Sequence, residues 1–219
     1  MNRIHRRRLI QAAAALALAA TLPASAAQPV GDDMSMGAAD AKVTVIEYGS
    51  ASCTHCARFN NDIFPGFKAK YVDTGQVRYV FREFLTEPVN LAAASFLLAR
   101  CAGKDKYFSV LDAIFHAQAG IYKTGDADAA LNKIAKDAGL SDAQANACLS
   151  DKAAIDALNA RVQGYINNDK ISGTPTFFVD GERLEGVQTL VQLDAAIARA
   201  EARAALPARG APTHHATTH

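Results

Sequence analysis

Cys53 and Cys56 stand in the stretch EYGSASCTHCARFN, separated by Thr54 and His55. Cysteines at this spacing can hold zinc, attach a haem, staple a small loop or exchange thiols with disulfides. Haem attachment needs a histidine directly after the second cysteine, where this chain has Ala57. Structural zinc usually takes two close pairs of ligands. The other two cysteines, Cys101 and Cys148, are far from each other and from this pair. A staple across so small a loop removes little chain entropy. Thiol–disulfide exchange is the chemistry left, and it calls for no cofactor and no metal.

That chemistry needs a reactive thiolate, and the flanking pattern offers one. KVTVIEY (42–48) is almost continuously apolar and β-branched, so it reads as a buried strand. GSAS breaks it, and from Cys53 the pattern turns helical, with Phe59, Ile63, Phe67 and Tyr71 at steps of four and Pro65 expected to kink the helix. Cys53 thus falls where a helix begins, and free N–H groups there stabilise a thiolate. Cys56 falls one turn further in, more buried and less reactive. His55, inside the loop, can donate to the sulfur or add positive charge.

A second strand is expected over 76–84 (QVRYVFREF), and then about 85 residues read as successive helices. A third strand, TFFVD, follows ISGTP; the turn Asp180-Gly181 leads to a short fourth, ERLEG, and an amphipathic helix runs from Thr189 to Ala204. The order is that of a small α/β unit, 42–204, carrying an all-helical insertion over about 86–169. Residues 28–41 read as a flexible lead-in and 205–219 as a disordered tail, whose His214, His215 and His219 offer at most weak metal binding.

The first residues have the layout of a secretory signal peptide: Arg3, Arg6, Arg7 and Arg8, an apolar run from Leu9 to Leu22, then ASAA, with cleavage expected after Ala26 or Ala27. The apolar run is short of the ~20 residues a spanning helix needs. RRRLI also resembles a weak twin-arginine signal. Without residues 1–27 the net charge changes from +1 to −3, and no basic cluster remains to bind nucleic acid. Export implies an oxidising space such as the periplasm, where thiols are paired or catalytic.

The strand–CTHC–helix arrangement, the helical block and GTPTFFVDG together resemble the DsbA family of thioredoxin-fold thiol–disulfide oxidoreductases, from about residue 40 to 204. The resemblance implies Cys53 as nucleophile, Cys56 as resolving cysteine and Pro175 as a cis-proline beside the sulfurs. It implies that the backbone of Thr174 pairs with an extended substrate peptide and that Glu47 is a buried acid exchanging a proton with Cys56. Reduced exported proteins would be the clients and a membrane quinone-linked thiol oxidase the partner. The family's best-known loop has proline where this chain has Thr54. The direction of electron flow is therefore open between an oxidase and a reductase or isomerase. A non-catalytic chaperone or adaptor would keep the fold without the chemistry. Isomerases of this kind carry a dimerisation domain ahead of the fold, and the short lead-in here argues for a monomer. Cys101 and Cys148 lie in the insertion. They either form a second, structural disulfide, closing about 48 residues and contributing roughly 4 kcal/mol in the chain-entropy model, or remain two buried thiols.

Overall fold

The computed structural model describes residues 32–206. The expected signal peptide and His214, His215 and His219 lie outside the described residues. Among the described residues five strands, β1 (Met34–Met36), β2 (Val43–Gly49), β3 (Val77–Glu83), β4 (Thr176–Val179) and β5 (Glu182–Glu185), form one mixed sheet in the order β1-β3-β2-β4-β5. β2 and β3 are parallel; the other pairs are antiparallel. β2 lies at the centre and is buried along nearly its whole length, which is why it reads as an apolar run rather than an alternation. Gly49 ends it where a Cβ would sit 2.6 Å from the ring of Phe81.

The helical stretch after β2 is not one regular helix. α1 (Thr54–Arg58) and α2 (Phe64–Phe67) alternate with wider π-helical turns at Phe59–Ile63 and Lys68–Val72. Four residues overshoot a full α-helical turn by about 40°, so a regular helix would rotate Phe59, Ile63, Phe67 and Tyr71 off a common face. The wider turns compensate, and Phe59, Phe67 and Tyr71 are all buried. Pro65, which has no N–H to give, sits in the first turn of α2, separated from the first π turn by Phe64.

Between β3 and β4 lie α3 (Val89–Cys101), α4 (Lys104–Thr124), α5 (Ala127–Asp137), α6 (Asp142–Leu149) and α7 (Lys152–Asn167). α8 (Leu190–Ala205), capped by Thr189 and Gln192, packs on β2 and β4. Residues 34–36, expected in a flexible lead-in, form the edge strand β1 instead. Met34 is buried there, and Asp33 ion-pairs at 3.0 Å with buried Arg82 of β3. Next along β3, buried Glu83 accepts from Arg100 of α3 at 2.6 Å and from Arg161 of α7 at 2.7 Å. Asp32 accepts from the same two arginines at 3.2 and 2.9 Å. These charges clamp residues 32–33, the sheet and the insertion together.

Cys101, at the end of α3, and Cys148, in α6, are joined as a disulfide with their Cα atoms 6.2 Å apart. Replacing both with alanine is expected to lower unfolding stability by about 2–4 kcal/mol and leave thiol chemistry at Cys53 intact. Urea unfolding of the two proteins measures this; equal midpoints and slopes would show that the bridge adds nothing.

Candidate active site

β2 delivers the chain through residues 50–52 to Cys53, whose N–H bonds the Ser50 carbonyl at 3.0 Å in a tight turn. Cys53 is the N-cap of α1, and its Sγ accepts from the Cys56 N–H at 3.4 Å. A thiol thus takes the capping role that serine or aspartate usually fills. Cys53 is half-buried, Cys56 is fully buried, and both are free thiols.

Their environments push the two sulfurs apart. The Cys53 thiol is lowered from 9.0 to about 5, first by the hydrogen bond from Cys56, then by Thr174 and the backbone N–H groups of Cys56 and His55, against the cost of partial burial. Thr174 serves both protonation states. Its carbonyl lies 3.4 Å from Sγ and accepts the thiol proton. Its hydroxyl is buried without a hydrogen-bond partner, ready to donate once the sulfur is ionised. Cys56 is pushed well above its ordinary value, first by burial, then by Cys53 and by the Glu47 charge. The Ser50 N–H, 3.4 Å from Cys56 Sγ, opposes that shift. At neutral pH Cys53 is a thiolate and Cys56 a thiol.

Glu47 is buried in the middle of β2 and faces Tyr79 of β3, the diagonal neighbour on the same side of the sheet. The Tyr79 hydroxyl donates to it at 2.6 Å. Burial nonetheless raises its pKa from 4.5 to about 8, with the Tyr79 bond opposing and the Cys53 charge adding. A cavity of about 340 Å³, lined by Glu47, Tyr79, Phe108 and the more exposed Asn60, Ser109 and Asp112, reaches this carboxyl.

The Thr174-Pro175 peptide is cis, as is Glu87-Pro88, which the sequence did not single out. Residues 172–176 line a small cleft of about 140 Å³ with Glu185 and Gly186. The contribution of His55 to Cys53 is its backbone N–H, while the residue itself is exposed. The structure therefore brings Cys53, Cys56, Thr174 and Glu47 into one electrostatic unit with Pro175 beside it, and leaves the imidazole of His55 at the surface.

Two further groups were missed from the sequence. Ser50, Ser52 and Thr86 form a hydroxyl cluster under the loop: Thr86 Oγ1 donates to Ser50 Oγ at 2.9 Å, and Ser52 Oγ donates to the Thr86 carbonyl at 2.8 Å. From α4, Gln118 and Tyr122 reach the carbonyls of residues 51–53. The SGS-like composition of GSAS hinted only at a break, and the partners lie more than thirty residues away. Among the described residues no group of three or more His, Cys, Asp or Glu side chains is placed to hold a metal ion.

The thioredoxin family model matches residues 30–199. A Rickettsia bellii protein named "Putative protein-disulfide oxidoreductase" is 34% identical over 170 residues, covering 77% of this chain and 64% of that protein. The chain thus spans less than two thirds of the length of that relative. The crystal structure of Wolbachia pipientis alpha-DsbA1 superposes with a TM-score of 0.73 at 28% identity, covering 80% of this chain and 94% of that one. BdbD of Bacillus subtilis, at 22% identity and a TM-score of 0.63, shares the fold. With the family model matched over residues 30–199 and the fold shared with the DsbA structure, the chain belongs to the thioredoxin family and is a DsbA-type member of it.

Proposed function

We propose that the protein is an exported thiol:disulfide oxidoreductase that introduces disulfides into client proteins through Cys53 and Cys56. In the oxidised protein these two sulfurs are bonded. A client thiolate attacks Cys53 Sγ, the Cys53–Cys56 bond breaks, and Cys56 leaves with the electron pair and takes the proton of Glu47. The client's second thiol, once deprotonated, attacks the client sulfur of the mixed disulfide and releases Cys53 as a thiolate. The client loses two electrons and two protons; the cysteine pair gains two electrons. Thr174 offers its backbone to an extended client beside Pro175, and the His55 N–H helps hold the thiolate. A membrane quinone-linked thiol oxidase takes the electrons away. The protein works as a monomer after loss of residues 1–27, as a thioredoxin unit over 42–204 with its insertion at about 86–169. No described helix is long and apolar enough to cross a membrane.

The observation that carries the oxidising direction is the donor set around Cys53 Sγ. It stabilises only the reduced protein, because the bonded sulfur has no charge to hold, and a stabilised reduced form makes a strong oxidant. The folded-state pKa lies below the unfolded one, so this stabilisation is full above about pH 9 and is lost as pH falls through about 5. Ultraviolet thiolate absorbance of the reduced protein is expected to titrate with a midpoint near 5, and equilibration with glutathione to give an oxidising potential. A midpoint near the unperturbed ~8.5 would overturn the strong-oxidant reading. A low potential would point to a reductase.

A further inference from the structure

We propose that α4 of the helical insertion is a positioning element of the redox site, acting through Gln118 and Tyr122. The inference rests on the thiol-exchange reading above but concerns residues outside the cysteine motif and outside the cis-proline loop.

Gln118 and Tyr122 are one turn apart on α4 and share a face. Gln118 Nε2 donates to the Ala51 carbonyl at 2.8 Å and to the Cys53 carbonyl at 3.2 Å. The Tyr122 hydroxyl donates to the Ser52 carbonyl between them. Three consecutive carbonyls of the loop that carries the nucleophile are therefore held by side chains of the insertion. Each peptide unit is planar, so fixing a carbonyl also fixes the N–H of the next residue. The Ala51 carbonyl sets the Ser52 N–H, which points at Ser50 Oγ at 3.4 Å. The Ser52 carbonyl sets the Cys53 N–H on the Ser50 carbonyl. The Cys53 carbonyl sets the plane that opens α1. The three bonds together orient the Cα–Sγ direction of Cys53 toward the N–H groups of its own helix.

They also act electrostatically. A carbonyl oxygen near a thiolate repels it, and a donor on that oxygen offsets the repulsion and polarises the peptide behind it. Burial raises the pKa of Tyr122, and the Cys53 charge is close enough to add to that shift. Gln118 is 3% exposed and Tyr122 41%. Tyr122→Phe therefore removes the donor while leaving a surface ring in place, and Gln118→Met keeps length and volume without the donor.

The test is the ionisation midpoint of Cys53 in the reduced protein, read both by ultraviolet absorbance and by the pH profile of alkylation, together with the glutathione equilibrium constant and the thermal midpoint. In Tyr122→Phe the ionisation midpoint is expected to rise by roughly half a pH unit and in the double variant by about one, with the oxidising equilibrium constant falling about tenfold in the double variant. An unchanged midpoint in folded Tyr122→Phe and Gln118→Met overturns the proposal, whatever happens to thermal stability, because a scaffold role moves only the latter. If Gln118→Met does not fold, the surface variant Tyr122→Phe decides alone. Wild-type protein that fails to exchange with glutathione would sink the oxidoreductase reading, while the alkylation profile would still decide the role of α4.

Discussion

Cys53→Ser is expected to reduce oxidative refolding of a reduced client protein to the uncatalysed background. Serine keeps the capping geometry, because its hydroxyl can accept from the Cys56 N–H as the sulfur does. It removes the only half-exposed sulfur of the pair. Cys56 has no means to substitute: it is fully buried and its thiol is held protonated by burial and by neighbouring negative charge. Thiol exchange needs an accessible thiolate, so no second route remains. Cys56→Ser is the complementary case. Offered a client that already carries a disulfide, the Cys53 thiolate attacks one client sulfur and the other leaves as a thiolate; with no Cys56 to attack Cys53 Sγ, the mixed disulfide persists as a species of added mass on a non-reducing gel. Full refolding activity in Cys53→Ser would instead indicate a chaperone or adaptor, whose function does not pass through this sulfur.

Glu47→Gln is expected to give a more stable and slower protein. The carboxyl titrates at about 8 when folded and near 4.3 when unfolded. Below the lower value both states are protonated and the group is neutral in its effect. Between the two values the unfolded chain releases a proton that the folded chain keeps, so stability falls as pH rises, and above about 8 the loss is complete. At pH 7 this amounts to about 3–4 kcal/mol. Glutamine has the same shape, still accepts from Tyr79 and never ionises, so it removes the penalty. Urea unfolding of the two proteins in the same redox state is expected to coincide near pH 4.5 and to diverge towards pH 8, with the variant more stable. Parallel curves would show that Glu47 ionises normally. The chemical cost lies in the step where Cys56 leaves: without a proton donor at position 47, stopped-flow resolution of the mixed disulfide is expected to slow by about 10²-fold. The stability gain and the rate loss have one origin, a carboxyl kept neutral by burial.

The same strand shows how far local sequence carries. Residues 42–48 announce a central strand by being apolar on both faces, and one acid within such a run stands out without any structure. The spacing of Cys53 and Cys56 after that strand is also local, as are the helical periods of the insertion and the turn at Asp180-Gly181. Other features had no local signature. Residues 34–36 look like a small polar lead-in, and become a strand because β3 has an open edge and Arg82 faces Asp33. Gly120 lowers helix propensity and by local composition marks a stop, yet α4 runs one turn further, to Thr124, with Ile121 buried. That extra turn carries Tyr122 to the redox loop.

By itself, the sequence pointed to the cysteine pair, to the strands and helices that flank it and to a helical insertion. These follow from residue type and from periods of two and 3.6, which neighbouring positions set. Only the tertiary structure decided which donors outside the motif hold the Cys53 sulfur and how the insertion grips the loop. Those properties depend on burial and on bonds between residues 65 to 121 positions apart. A chain read one window at a time contains the partners but not their meeting.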